Sequence, residues 1–449
     1  MGRKINIQPL SRIEGHASIE INLDDSGNVK EAITHFSSIR GFEKYVEGKP
    51  AEEVTRIVTR ICGICPWHHH MASVKAVDGC FGAKVAPAGH ILRECMQNMA
   101  HINDKILHFY FLAAPDFVMG PDADYSVRNI IGIVGAAPDL AKRVVQMRQL
   151  SQMMMEKFAG RVIHPIAGVP GGFSKPMSES QKKELVENTK ELLGFAKFSM
   201  KYAKEEIFPK YLDLVTTLGT ITTGFIGTVD DKGSLNFYDG KLRLMKPDGS
   251  YDDFDDSDYL DYISEHPVDV SYGKYPYAKS WNEGFSMDLD APKGIYRSNC
   301  LARINICDQI STPLAQAELE EFRKNFGRPA QQTLLYHWAR LIELVYACEK
   351  TLELLNDSSI TDQKTRNDVT PKGGRGVGHV EAPRGTLIHD YTTDENGCIK
   401  SANMIVGTTH NLAPISMSVE QSARMLIKDG NIDETILNKI EMSVRAYDP

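Results

Sequence analysis

The amino-acid sequence predicts one interwoven, mainly helical α+β unit spanning residues 1–449. Three observations predict it. Apolar residues recur at helical spacing over long stretches, and strand-like alternation is confined to shorter segments before and between them. No internal repeat, low-complexity run or obvious linker divides the chain into separable domains. The composition, 42% hydrophobic and 24% charged, is that of a folded protein with one large or two ordinary cores.

Taken in order, residues 5–36 read as strands. Ile5 and Ile7, then Ala17, Ile19, Ile21 and Leu23, alternate with polar positions, and Asp24-Asp25-Ser26-Gly27 makes a hairpin turn. From about 50 to 205 the pattern is helical, and Leu185, Leu192, Leu193 and Ala196 mark a half-buried face among lysines and glutamates. Residues 225–300 are rich in aspartate, glycine and tyrosine, with turn signals at Pro247-Asp248-Gly249 and Asp290-Ala291-Pro292. They predict a small β-rich excursion on the surface, with acidic residues 251–258 as a solvated loop. Helix returns at 314–356, where Leu334, Leu335, Trp338, Leu341, Ile342 and Val345 form one apolar stripe. Residues 367–410 read as loops and strands. From about Ser418 the chain is helical again, with a break near Gly430.

Several function classes are excluded or disfavoured. Lysine and arginine number 51 against 59 acids, a formal charge of −8, which speaks against a nucleic-acid groove or an anionic membrane as partner. No run of 18 apolar residues exists, so no membrane span is expected. The first eight residues, MGRKINIQ, contain no apolar signal region, and a cytoplasmic location follows. The eight cysteines are mostly isolated, unlike a secreted disulfide framework, which points to a reducing compartment.

Only Cys62 and Cys65 lie close together, in Arg60-Ile61-Cys62-Gly63-Ile64-Cys65-Pro66-Trp67-His68-His69-His70. Two thiols at this spacing can face one ion, and soft thiolates suit zinc, nickel and iron. Arg60 is the nearby cation expected to hold both sulfurs deprotonated. On this segment alone three readings stand: a structural zinc site, a thioredoxin-like dithiol, and a catalytic metal site completed from elsewhere in the fold. A zinc site lacks its second cysteine pair, and a dithiol lacks the small domain it normally occupies.

Further motifs point to one family. Arg12-Ile13-Glu14-Gly15-His16 resembles the RxEGH motif of [NiFe] hydrogenase large subunits, and Arg40-Gly41-Phe42-Glu43 the RGFE that follows it. Residues 60–69 resemble RxCGxCxxxH, and His108-Phe109-Tyr110 the family's HFY. Gly160-Arg161, His164-Pro165 and Pro170-Gly171-Gly172 match a further block. Glu381-Ala382-Pro383-Arg384-Gly385 resembles the ExPRG loop, and Asp448-Pro449 the start of a final DPCxxCxxH. The resemblance covers nearly the whole chain and implies a central helix bundle with peripheral β segments. Within the family, residues 331–340 and the Pro66-Trp67-His68 variant resemble the cytoplasmic viologen-reducing enzymes of methanogens, which do not reduce the deazaflavin coenzyme.

That resemblance implies a role for each candidate site residue. Cys62 is a terminal nickel ligand and Cys65 bridges nickel to an iron carrying CO and CN. His69 hydrogen-bonds the bridging sulfur, while His68 and His70 read as packing or solvent contacts. Glu14 relays the proton of heterolytic H2 cleavage. Arg384, beside Pro383, supplies donors to one cyanide and Thr408 to the other, although Gly407 stands where the family usually has proline. Asp104 joins the canopy over the metals. Glu43 and the carbonyl of Met404 hold magnesium or a similar ion. The remaining cysteines, 80, 95, 300, 307, 348 and 398, read as small buried hydrophobes.

The last two metal ligands are expected beyond Pro449, with selenocysteine as the third, either encoded directly after Pro449 or on a short separate selenopeptide. No iron-sulfur motif is present, so electrons are expected to pass to an iron-sulfur small subunit. From there the resemblance implies transfer to heterodisulfide reductase by way of a linking subunit. Two competing classes are a zinc-binding assembly protein and a non-catalytic relative resembling a complex I subunit.

Overall fold

The computed structural model describes residues 3–449. Its centre is the helix Tyr336–Asn356, in which residues 336–348 are all buried. A helix buried on every side belongs to the core of a bundle, and this one packs against Glu179–Tyr202 and Pro87–Leu107. Pro138–Ala159 lies against the Pro87–Leu107 helix and against Glu179–Tyr202, closing the bundle. Leu185, Leu192 and Ala196 are buried as their spacing predicts, and Ser178 with Gln181 forms a capping box at that helix's start. The helix expected over 314–356 is two, Pro313–Phe326 and Tyr336–Asn356. Gly327 in a positive-φ conformation and Pro329 separate them, because neither continues a helix readily.

Around the bundle stand the β segments. Lys4–Ile7, Ala17–Leu23 and Val29–Phe36 form an antiparallel sheet, with Ala17, Ile19, Ile21 and Leu23 buried. Asp24 closes its turn by accepting from the backbone N–H groups of Ser26 and Asn28. The helix Leu412–Leu426, which begins six residues before Ser418, packs on the third strand. The expected break at Gly430 separates it from Glu434–Ala446, which Asp433 caps through the N–H groups of Thr435 and Ile436.

The β-rich excursion exists but is not superficial. Gly224–Val229 is buried along its whole length and pairs with Lys241–Met245 and with Tyr296–Arg297. Residues 251–258, expected as a solvated loop, begin with the edge strand Tyr251–Phe254. Two of its five acids have such partners: Asp253 with Arg243 at 2.7 Å, and Asp256 with His379 at 2.7 Å. Pairing with Arg243 across the hairpin and with His379 from another sheet outweighed the local acidity.

The sheet that positions the site is Gly374–Ala382, Gly385–Thr393 and Ile399–Ile405, antiparallel in that order. Gly376 and Gly378 alternate on one face, and a Cβ on either would come within 2.1 Å and 2.4 Å of backbone oxygens of Ala76 and Ala72. The helix Pro66–Phe81 therefore lies directly on this strand. Among the described residues no helix is long and apolar enough to cross a membrane.

Candidate metal centre

The chain enters the site through a short turn, Val58–Arg60, and leaves it as the helix Pro66–Phe81, with Cys65 in the N-cap position and Pro66 at its first residue. This geometry brings the Cys65 N–H to 3.2 Å from Cys62 Sγ. Cys62 is the thiolate of the pair: its pKa falls to about 7, first because the Cys65 thiol donates to it and then, against burial, because Arg384 is nearby. Cys65 is raised by donating that proton and by burial. Arg60, expected to supply the positive charge, is exposed on the outer face of the turn. The cation beside the sulfurs is Arg384, from more than 300 residues away.

Arg384 and Pro383 are the two residues between strands paired at Ala382 and Gly385, so the guanidinium stands on the tip of a tight hairpin. It donates to Asp104 at 3.0 Å and Asp448 at 2.9 Å. Burial works against its charge, and the two carboxylates more than compensate. Burial also raises the Asp448 carboxyl to about 7, helped by Asp104 and opposed by Arg384. The base of the hairpin is held by Arg303, which donates to the carbonyls of Ala382 and Pro383 and to Glu381. Gly407 lies against the tip: a Cβ there would be 3.0 Å from backbone atoms of Gly385, which explains why a small residue stands in that loop.

A cavity of about 270 Å³ opens beside the thiols, lined by Cys62, Cys65, Arg384, Thr408, Glu14 and Pro449 among others. Glu14 is exposed to it, and the Glu14 N–H donates to the Pro449 carbonyl at 2.9 Å. Arg12 anchors this segment through Asp116 at 2.5 Å, which Arg445 also grips. Glu43 and Met404 line the same cavity. Both Glu43 oxygens accept from Arg40, and the Met404 N–H donates to one at 2.9 Å. Met404 lies on the edge strand Ile399–Ile405 with its N–H turned away from His389, so its carbonyl faces Glu43 as well. One carboxylate already answered by a guanidinium and one carbonyl do not by themselves make a six-oxygen site for a hard cation.

His69 is fully buried and lies 3.2 Å from His389 through Nδ1, while its Nε2 has no partner. His68 and His70 are packed, as expected: His68 meets Gln97 at 3.1 Å, and His70 meets the Thr55 carbonyl at 2.9 Å. Burial lowers His68 and His69 to about 3 and His70 to about 4. Cysteines 80, 95, 300, 307 and 348 are buried, and Cys398 is half-buried. The fold thus brings Glu14, Cys62, Cys65, Arg384 and Thr408 to one cavity, with Asp104 behind Arg384. Asp448, His389 and the Arg303 cluster were not singled out from sequence for any role. Only His389, two residues from Tyr391 on one strand face, left a trace in the pattern.

The residues suit a soft metal group. A thiolate and a thiol face a cavity beside a buried guanidinium, and nearby buried polar atoms of His69, Asp104 and Asp448 lack partners. Among the described residues no three metal-binding side chains converge, and Cys62 and Cys65 are the two cysteines that line the cavity.

Comparison with known proteins agrees. Residues 40–126 and 301–449 match the family described as nickel-dependent hydrogenase, and residues 4–38 match HoxL-like proteins. A subunit of the F420-non-reducing vhu hydrogenase of Methanococcus voltae is 48% identical over 427 residues, covering 95% of this chain and 99% of that protein. The NAD-reducing hydrogenase HoxS subunit beta of Cupriavidus necator is 35% identical, covering 100% of this chain and 94% of that protein. A solved NAD+-reducing [NiFe]-hydrogenase in the H2-reduced state superposes with a TM-score of 0.93 at 36% identity, covering 100% of this chain and 98% of that one. The Ni-Fe-Se hydrogenase from D. vulgaris Hildenborough shares the fold, with a TM-score of 0.78 at 23% identity and the same coverage. The chain therefore belongs to the nickel-dependent hydrogenase family, as the large subunit of an H2-oxidising oxidoreductase.

Proposed function

We propose that Cys62 and Cys65 hold one side of a nickel-iron group and that two further soft donors complete it from a segment entering the cavity beside Pro449. The observation that carries this reading is the thiolate–thiol pair facing that cavity under Arg384. When bound, such a group polarises H2 for heterolytic cleavage. Arg384, oriented by Asp104 and Asp448, presents guanidinium donors at the cavity. With Thr408 it suits small anionic ligands such as cyanide, and CO fits the same apolar-lined space. Glu14 receives the proton, since it is the carboxylate on the cavity wall without a guanidinium clamped across it. His69 Nε2, which has no partner within the chain, is the nitrogen we assign to hydrogen-bond the Cys65 sulfur and tune its basicity when the group is bound. A hard cation at Glu43 would need further oxygen donors and the release of Arg40.

Electrons leave to an iron-sulfur small subunit. Onward transfer to heterodisulfide reductase by way of a linking subunit is part of the same proposal, and the chain's similarity to subunits of F420-non-reducing hydrogenases is compatible with it. The test is nickel, iron, zinc and selenium per chain in the natively purified complex, with H2-dependent viologen reduction. Nickel and iron near one per chain with activity are expected. Zinc alone, or metal without activity, overturns the reading. Selenium near the nickel level would make one of the further donors selenocysteine, and its absence with full activity would make both sulfur.

A further inference from the structure

The tip of the arginine hairpin is fastened from behind by one buried amide. Asn411 ends the short turn Gly407–Asn411, which carries Thr408 to the cavity, and it is 1% exposed. Its Nδ2 donates to the Arg384 carbonyl at 3.0 Å, and its Oδ1 accepts from the Ser298 N–H at 2.9 Å. Both partners are main-chain groups, which fixes the orientation of the amide: a carbonyl can only accept and an N–H can only donate. Ser298 closes the clasp on the far side of Gly385, where its Oγ accepts from the Thr386 N–H at 2.8 Å. The turn also touches the tip at its other end, since a Cβ on Gly407 would be 3.0 Å from Gly385 and 3.2 Å from the Arg384 carbonyl carbon. Thr408 lies between these two attachments.

We propose that Asn411 is a positioning residue that holds Arg384 and Thr408 at a fixed separation, so that the two donors address the small anionic ligands of the metal group as one unit. Asp104 and Asp448 orient the guanidinium, but neither belongs to the turn that carries Thr408. Asn411 supplies that link, because it sits on the turn and bonds the main chain of Arg384 itself. The chemistry calls for an amide. A carboxylate at this position could accept from Ser298 but not donate to Arg384, and an aliphatic side chain could do neither. Either would leave the Arg384 carbonyl buried without this donor, at the tip of a hairpin only two residues long. Hairpin and turn would then be free to shift relative to each other.

The proposal rests on the metal reading above, and two measurements separate them. In the metal-free full chain, hydrogen exchange read by mass spectrometry follows the hairpin tip, residues 383–387, and the turn, residues 406–411. Asn411→Leu is expected to speed exchange roughly 10–100-fold in both segments together, with the central helix Tyr336–Asn356 unchanged. In the natively purified complex, the same variant is expected to shift both cyanide stretching bands in the infrared. Its H2-dependent dye reduction should fall roughly 10–100-fold at unchanged nickel per chain. A merely structural residue would leave the bands in place and lower their intensity together with the nickel. That outcome overturns the proposal, as does a shift confined to one band, or exchange that rises in one segment only or in neither. If Asn411→Leu does not fold, Asn411→Asp, which keeps the bond from Ser298 and loses the donor, decides by the same readings. Absence of cyanide bands from the unmutated complex would fail the metal reading, and the exchange result would then decide the clasp.

Discussion

Which arginine acts on the sulfurs is decided by direction of approach, since Arg60 is adjacent in sequence yet faces solvent while Arg384 arrives on a hairpin tip. Its planar fork meets two carboxylates at once, which a lysine ammonium cannot match. Arg384→Lys is therefore expected to lower dye reduction about 100-fold through misplacement alone, with nickel and iron content retained. Metal analysis beside the rate checks this. Loss of metal instead would make Arg384 an assembly residue. Glu14→Gln keeps size and removes the carboxylate proposed to accept the proton, so turnover is expected to fall about 100-fold or more at unchanged metal content. An unchanged rate would transfer the relay role to another group.

Close backbone contact sets the distance between the cysteine helix and the arginine hairpin. Gly376 and Gly378 bring the Pro66–Phe81 helix against the Gly374–Ala382 strand, and Gly407 packs against the hairpin tip. Gly378→Val would force that helix outward, and overpacking of this kind costs about 1–3 kcal/mol or more. The expected outcome is a lower melting temperature together with loss of nickel, because Cys62 and Cys65 move relative to Arg384. A variant that melts lower yet binds nickel normally would show that the spacing is not set here. The period-two glycines are visible in the sequence, but what they touch is not, since Ala72 and Ala76 lie about 300 residues away. The same limit hid the partners of Asp253 and Asp256 and made an edge strand look like a loop.

At the scale of the molecule, a buried network joins distant parts. Lys105, Arg303, Glu343 and Glu381 are all essentially inaccessible and pair at 2.6–2.9 Å. Removing one partner leaves uncompensated charge, so Glu343→Ala is expected to cost about 3–5 kcal/mol in urea unfolding. A cost below about 1 kcal/mol would mean water reaches the cluster. Acid sensitivity follows from the histidines. Burial lowers His68, His69 and His410 to about 3 and His70 to about 4, against an ordinary 6.5. The unfolded chain thus binds more protons, so this stability is complete above about pH 6.5 and is lost as pH falls toward the folded values. Asp448, raised to about 7, acts in the opposite sense between about pH 4 and 7, but one group is outweighed by four. Near pH 5 the net loss is roughly 3–5 kcal/mol per pH unit. The urea midpoint of the metal-free chain should drop steeply between pH 7 and 5. A flat profile would mean these rings are hydrated and charged.

The sequence alone determined the mainly helical α+β class, the strand segments at 5–36, the close cysteine pair and the family, because periodicity and ordered motifs are local records of burial and residue chemistry. It also named Glu14, Cys62, Cys65, Arg384 and Thr408, which the fold gathers at one cavity. Only the tertiary structure decided which cation answers the sulfurs, that Arg40 holds Glu43, that residues 224–229 are core, and that His389 stands behind His69. Apart from the Arg40–Glu43 pair, three residues apart, those outcomes depend on contacts between residues far apart in sequence. Spacing along the chain carries no information about such contacts until the backbone has packed.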